Sequence, residues 1–405
     1  MPHAPDDSPA LTPRQLFFQT AEQRTALARQ RFFDEGTRPS GLVGEAVIQS
    51  WLRCTSERQD PRKLVSFEQV SRSRAHASLN RNRQLLQAGN LELHHMEAAL
   101  RGTDCRVLLT DAHGVVIHAT DMPPPREQPL LKTASRVGVN IAESHIGTNA
   151  PGIVVRTGEA CTVTGAEHFF QCLQTVHCAA APIRDIHGQL AGVLDISIEA
   201  GRFAFDAAAL VGMYATTIEN RLLQLQSTEH LVLQFQASPA LLGTPMEALA
   251  GIGADGCVLW LNGVARRLTG CRTHGQPAVE DAFGATLAQL LALTRHDHMH
   301  TLHLPSGLGV WVKARLTARD GADPRHSVPV SPSAPAPATS PEPGPEDAPD
   351  HAAPATLLDH EQRLIDTTLA ACKGNIAKAA RALGVSRGML YRRLQKGEAP
   401  VSKSP

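Results

Sequence analysis

Ser386, Arg387, Gly388, Tyr391, Arg392, Arg393 and Lys396 are spaced to put hydroxyl, basic and aromatic groups on the outer side of one short helix. Such a face suits a polyanion. A helix fits the major groove of duplex DNA, Arg bonds guanine through two parallel donors, and Lys or Arg neutralises phosphates. The residues that must position this face surround it. Asn375 is a good N-cap, and Ile376, Ala379, Ala380 and Leu383 recur at i, i+3, i+4 and i+7, which predicts a helix with one buried stripe. Gly384 stands where a left-handed residue ends that helix, Val385 plugs the turn, and Ser386 caps the next helix, whose inward row is Leu390 and Leu394. Leu357 to Cys372 predicts a support helix. Together these make a helix-turn-helix; the alternative is a helical hairpin whose basic residues form an ordinary solvated face.

Charge favours the first reading. Thirty-nine basic and 39 acidic side chains cancel over 405 residues, which excludes a uniformly basic nucleic-acid coat. Residues 357–405, however, hold nine basic against four acidic side chains, so this stretch carries +5 and the remaining 356 residues −5. That asymmetry is expected where one small module meets a polyanion. Between Pro324 and Pro354 lie ten of the chain's 28 prolines, with almost no large apolar residues. Such a segment cannot bury enough surface to offset the entropy of ordering, so it reads as a linker.

A second constellation precedes the linker. Gly147-Thr148-Asn149 bends the chain and presents amide and hydroxyl groups, while a buried Glu143 or Glu167 needs a hydrogen-bonding partner. With His168 and Cys178, these groups predict a pocket that orients a small polar ligand. The competing reading is that Glu143, Asn149, Glu167 and His168 fasten loops to a sheet. His168, Cys172, His177 and Cys178 lie within eleven residues. Their spacing fits no common zinc or iron pattern, and strand alternation sends His177 and Cys178 to opposite faces, so no metal is expected. The eight cysteines contain no C-x-x-C pair and read as reduced thiols, Cys178 packing as a small apolar residue. No cofactor is implied, and no base is positioned beside Cys178 or Cys172 for thiol catalysis.

Elements alternate upstream of the linker. Strands are predicted at Cys105–Thr110 and Val115–Thr120 around the turn Asp111-Ala-His-Gly114, then at Ala160–Thr164, His177–Ile183 and, after Asp185-Ile-His-Gly188, Leu190–Ile198. Helical patterns cover Gly44–Cys54, a stretch around 65–100, and Phe205 to about Phe235. The last places Ile218, Leu222, Leu225 and Val232 on one stripe interrupted by Glu229, which suits either pairing with its copy in a dimer or packing on its own domain. A smaller set follows: a strand in Met246–Gly253, a strand at Cys257–Leu261, helices at Asn262–Leu268 and Thr286–Thr294, and strands at Met299–Leu304 and Gly309–Leu316. The fold class expected is α+β.

Two family resemblances add to this reading. Gly374-Asn375, Ala379-Ala380, Leu383-Gly384-Val385-Ser386-Arg387 and Leu390-Tyr391-Arg392-Arg393-Leu394 resemble the C-terminal DNA-binding domain of the Fis type, which implies a four-helix dimer whose last helix reads double-stranded DNA. Met389 and Gly388 depart from that family's usual Thr and variable polar residue. Glu143-Ser-His-Ile-Gly147-Thr-Asn149-Ala, Glu167-His168-Phe169, Cys178-Ala-Ala-Ala-Pro182-Ile, Asp185 with Gly188, and Gly192-Val-Leu-Asp195-Ile-Ser197 resemble the GAF domain of acetoin-catabolism-type regulators, and Ser50-Trp51-Leu-Arg53-Cys54 the helix before it. That resemblance implies a small-molecule effector. Residues from about Thr244 to Leu316 resemble a degenerate PAS domain. Regulators of this type usually carry a central ATPase that acts on sigma-54 polymerase, and such a domain needs G-x-x-x-x-G-K-[ST]; no Gly-Lys pair occurs in this sequence.

The expected organisation is a helical extension at 1–41, a GAF sensory domain with its preceding helices at 42–225, and a connecting helix with a PAS-like domain at 226–320. A Pro/Ala-rich linker at 321–356 and the helix-turn-helix at 357–405 complete it. Expected partners are double-stranded DNA, a small effector, a second copy of the chain, and RNA polymerase or a full-length paralogue. No apolar run reaches the ~18 residues that cross a bilayer, and no signal-peptide pattern follows the start, so a cytoplasmic place without membrane contact is expected.

Overall fold

Asp111 closes the first hairpin: its Oδ1 accepts from His113 N at 2.9 Å and Val115 N at 3.0 Å, and Gly114 supplies the left-handed residue at φ 80°. The computed structural model describes residues 20–120, 127–271, 275–295 and 298–316. The expected linker and the whole helix-turn-helix, with Ser386, Arg387, Gly388, Tyr391, Arg392, Arg393 and Lys396, lie outside the described residues.

The chain opens with α1 (Ala21–Arg29), α2 (Glu45–Ser56), α3 (Arg72–Arg81) and α4 (Arg83–Ala99). A first sheet is then built from β1 (Arg106–Asp111) and β2 (Val116–Ala119), the short helices α5 (Pro129–Ala134), α6 (Glu143–Ile146) and α7 (Ala150–Thr157), and β3 (Cys161–Thr164), β4 (Val176–Arg184) and β5 (Leu190–Glu199). The long helix α8 (Ala207–Gln226) leads to a second sheet: β6 (Leu231–Gln236), β7 (Ala248–Ile252), β8 (Val258–Leu261), helices α9 (Gly263–Thr269), α10 (Val279–Phe283) and α11 (Leu287–Ala292), then β9 (His300–His303) and β10 (Gly309–Leu316).

Both sheets have five strands, and every neighbouring pair is antiparallel. The orders are β2-β1-β5-β4-β3 and β8-β7-β6-β10-β9. Moving β6 from the front of the second set to its end would reproduce the first order. The two sheets are thus related by a circular permutation of strand order.

Each face of the first sheet is covered. Leu108, Val116, Cys178, Ala180 and Val193 pack with Trp51, Ile153 and Phe169 on one side. Leu109, Ala179, Ala181, Leu194 and Ile196 pack on the other with Leu85 and Leu93 of α4 and with Ile218 and Leu222 of α8. A strand buried on both faces reads as a nearly continuous apolar run. In β5 that run is broken by Asp195 and Ser197, both buried.

One expectation needs correcting. The helix predicted from Phe205 to about Phe235 ends at Gln226, Glu229 takes the left-handed region at φ 64°, and Leu231–Gln236 is β6, the central strand of the second sheet. Ile218 and Leu222 do form a buried helical stripe, but Val232 packs from the strand against Leu223, Leu249 and Trp260. Pairing with β7 and β10 supplies the backbone partners that a continued helix would have supplied internally, so tertiary pairing overrides the 3.6-residue period. The stretch around 65–100 likewise starts its helix only at Arg72, capped by the Ser71 hydroxyl.

Candidate functional site

Asp195 is the buried group that organises the site. It sits on β5 opposite Leu108 of β1 and Ala180 of β4, at the centre of the first sheet, and is 0% exposed. Ser197, two residues on and therefore on the same face, donates to Asp195 Oδ2 at 2.7 Å. Oδ1 of Asp195 has no hydrogen-bond partner among the described residues. Burial pushes the carboxyl up to about 7, only partly offset by the Ser197 bond.

Cys178 pairs with Ser197 across β4 and β5, and its Sγ lies 3.7 Å from His168 Nε2, which corrects the expectation that no base stands beside this thiol: the turn at Gly165 folds the imidazole back over β4. The His168 Nδ1 is 3.0 Å from the Gly165 carbonyl, which only accepts, so Nδ1 carries the proton and Nε2 accepts from the thiol. Burial pulls His168 down to about 4 and pushes the Cys178 thiol up, so both are neutral near pH 7.

Asp195, Ser197, Cys178, His168 and Asn149 are among the residues that line a cavity of about 40 Å³. Leu108, Leu131, Ile141, Ile146, Leu173 and Val176 contribute to its apolar walls, and no Lys or Arg side chain lines it among the described residues. The loop bearing His168 is pinned from outside. Arg29 donates to the carbonyls of Ala166, His168 and Phe169 at 3.0, 2.7 and 3.2 Å while lying 4.5 Å over the Phe33 ring, and Trp51 Nε1 donates to Glu167 O at 2.7 Å.

Three of the six residues expected to form the pocket line this cavity: Asn149, His168 and Cys178. Asn149 is also the N-cap of α7, its Oδ1 accepting from Gly152 N at 2.8 Å and its Nδ2 donating to Gly147 O at 2.7 Å. The other three point elsewhere. Glu143 takes a bidentate ion pair from Arg53 (Nε–Oε1 2.6 Å, Nη2–Oε2 2.8 Å). The Thr148 hydroxyl lies 2.7 Å from that of Ser50. Glu167 Oε2 accepts from Thr164 N at 2.8 Å in a capping box. Asp195 and Ser197 are the residues that sequence reasoning did not single out as ligand groups; the signal was a charged residue inside an otherwise apolar strand. His177 is half-buried and lines no part of the cavity, as alternation from Cys178 requires. Among the described residues no group of three His, Cys, Asp or Glu is placed to hold a metal ion.

A small, mostly apolar cavity with a few polar residues in its lining, set between a sheet and its covering helices, is an arrangement that can hold a small molecule. The MimR N-terminal domain matches residues 20–217, and the bacterial regulatory protein, Fis family, matches residues 356–397. The chain thus joins a MimR-type N-terminal domain to a Fis-type helix-turn-helix.

Among curated proteins it is 29% identical over 243 residues to the acetoin catabolism regulatory protein of Cupriavidus necator, covering 58% of this chain and 36% of that one. It is 26% identical over 291 residues to the propane 2-monooxygenase operon transcriptional activator MimR of Mycolicibacterium smegmatis, covering 71% and 46%. It is 27% identical over 175 residues to the acetoin dehydrogenase operon transcriptional activator AcoR of Bacillus subtilis, covering 42% and 28%. The matched regions span between about a quarter and a half of these relatives' own lengths. The solved structure of the E. coli DhaR(N)-DhaL complex aligns over 67% of this chain and 99% of that one, at 17% identity and a TM-score of 0.42. Among the described residues no helix is long and apolar enough to cross a membrane.

Proposed function

We propose that this chain is a transcriptional regulator that senses a small metabolite through the cavity around Asp195 and occupies operator DNA through its C-terminal helix-turn-helix. The observation that carries the proposal is the pairing of a Fis-family match at 356–397 with a buried cavity in the MimR-type domain. Relatives named as regulators of acetoin catabolism and of a propane 2-monooxygenase operon support it. The reading assigns DNA contact to Ser386, Arg387, Gly388, Tyr391, Arg392, Arg393 and Lys396. In the sensor, Asn149, His168 and Cys178 face the ligand, while Glu143, Thr148 and Glu167 hold its framework.

The first sheet with α2 to α8 reads as a GAF domain over 42–225, and the second as a PAS-like domain with permuted strand order over 226–320. Leu231, Phe235, Val264, Phe283 and Leu290 fill the second core, which supports an assembly role for it rather than ligand binding. Leu91 on α4 and Met213 on α8 are exposed, apolar surface that suits a homodimer. The chain has no Gly-Lys phosphate loop, so the reading has it act by occupying DNA, beside polymerase or in competition with a longer relative, without ATP-driven promoter opening. It places the protein in the cytoplasm. A thiol-redox role draws no support, because burial holds Cys178 protonated.

The test is a mobility shift with the full chain on genomic operator fragments over a salt series, repeated with Arg387→Ala and Arg392→Ala. Salt-sensitive binding weakened by both substitutions is expected. Absence of salt-sensitive binding by the parent chain would leave an adaptor whose C-terminal helices only associate, and binding unchanged in both variants would move DNA contact away from this helix.

A further inference from the structure

A second space, of about 440 Å³, lies where α4 and α8 meet the second sheet. Arg221, Gln224 and Leu225 stand at i, i+3 and i+4 on α8, so they share one face, and they line the space together with Gln87 of α4. The sheet contributes Val232 and Gln234, which alternate along β6 with the core residues Leu231, Leu233 and Phe235. Arg315 pairs with Val232 across β10 and β6 and lies on the same side.

The lining holds two guanidinium groups and, among the described residues, no Asp or Glu. Arg221 Nη2 is 2.8 Å from Oε1 of Glu92 on α4, which orients that guanidinium and uses one of its two forked ends. Arg315 is exposed, and among the described residues no hydrogen bond or ion pair engages its side chain. The side-chain amides of Gln87, Gln224 and Gln234 are equally without protein partners there. Two arginines against Glu92 leave one uncompensated positive charge.

Charge then selects the occupant. A cation is repelled by Arg315, and a neutral molecule leaves the guanidinium unpaired. A carboxylate or phosphate accepts two parallel bonds from a guanidinium fork, and the amides can donate to its remaining lone pairs. Leu225, 38% exposed, and Val232 offer apolar surface to the rest of such a molecule. The volume falls within the roughly 300–1,000 Å³ of small-molecule sites, which is more than a lone ion fills.

We infer that this cleft is a receptor for a small organic anion, one carboxylate or phosphate head on an apolar body, held between Arg221 of α8 and Arg315 of β10. Its occupant ties the helix that covers the first sheet to a strand of the second. The site is separate from the cavity around Asp195 and does not depend on the regulator reading.

The experiment is calorimetric titration of the full chain at about pH 7.5 and low ionic strength with benzoate, phenyl phosphate, benzyl alcohol and benzylamine as probes. Saturable binding of at least one of the two anions is expected, with the alcohol and the amine at least about tenfold weaker. The tighter of the two anions identifies the head group. Arg315→Gln removes a charge from an exposed side chain and leaves both cores intact; it is expected to weaken the anion by at least about tenfold. Gln234→Glu adds a carboxylate to the lining and is expected to do the same, whereas Arg387→Ala is expected to change nothing. Absence of saturable anion binding, or benzyl alcohol or benzylamine binding as tightly, overturns the inference. So does an affinity unchanged in both Arg315→Gln and Gln234→Glu, or one lost in Arg387→Ala and kept in Arg315→Gln. The operator mobility shift, run on the same preparations, reports separately whether the regulator reading holds.

Discussion

Asn262 Nδ2 donates to Asn220 Oδ1 across 2.9 Å, joining the N-cap of α9, beside the second sheet, to α8, which packs on the first. Both residues are buried. Asn262 spends its whole hydrogen-bonding capacity there: Nδ2 also donates to Glu247 O at 2.9 Å, and Oδ1 accepts from Leu249 N at 3.1 Å and Ala265 N at 2.8 Å. One face of α8 lies on the first sheet, and Leu223 at its end packs against Val232, Leu249 and Trp260. A change in α8 therefore has a direct polar and apolar connection to the second sheet.

Asn262→Ala is expected to cost about 2–4 kcal/mol in urea denaturation, since it removes an N-cap and strands buried groups on Leu249, Glu247 and Asn220. Asn220→Ala strands one donor and is expected to cost about 1–2 kcal/mol. A loss under about 0.5 kcal/mol for Asn262→Ala would mean that the four bonds are not formed in solution.

Arg53 and Glu143 tie α2 to α6 by two charge-assisted bonds, with side chains 26% and 11% exposed. Arg53→Ala leaves the carboxylate without its cation and is expected to destabilise by about 1–3 kcal/mol, discounted for the partial exposure of the arginine. Arg53→Lys is expected to recover only part of this, because an ammonium cannot reproduce the planar fork. Full recovery in thermal melts would reduce the pair to simple charge attraction.

Asp195 and His168 give opposite pH dependences. The Asp195 carboxyl is held at about 7, so the fold keeps its proton more tightly than the unfolded chain does. Stability from this residue declines as pH rises from the ordinary carboxylate value through about 7 and then levels. His168 is held at about 4, so its contribution is complete above the ordinary imidazole value and is lost as pH falls toward 4. Asp195→Asn removes only the first effect. The melting temperature of that variant relative to the parent is expected to climb between about pH 5 and about pH 7.5, and a flat difference would show that Asp195 titrates normally.

Gly147 carries φ 66°, and a Cβ there would lie 2.8 Å from ring atoms of Phe170. Gly147→Ala combines backbone strain with a clash against a buried ring. It is expected to destabilise by about 2 kcal/mol or more and to weaken any cavity ligand, because Gly147 O holds the Asn149 side chain. Unaltered stability and ligand affinity would show that the turn adjusts freely.

Arg387→Ala and Arg392→Ala are expected each to weaken operator binding by about 1–3 kcal/mol while leaving the oligomeric state unchanged by light scattering. Unchanged footprints for both would remove the reading helix from its assigned role.

Features that depend on neighbours along the chain are readable in the order of its residues. Turns and periods are local, so the Asp111-Ala-His-Gly114 turn, the helix that begins about Asn262, the alternation that separates His177 from Cys178 and most strand limits were legible. The remainder depends on contacts between distant segments. β6 looked helical because its central place is set by partners about 20 and 80 residues later in the chain. Asp195 looked like one residue of a motif because its meaning comes from being inside: β4 and β5 bring it beside Cys178, the 165–169 loop brings His168, and removal from water turns an ordinary carboxylate into an unpartnered acceptor. Desolvation is a property of three-dimensional packing, and no spacing along the chain encodes it directly.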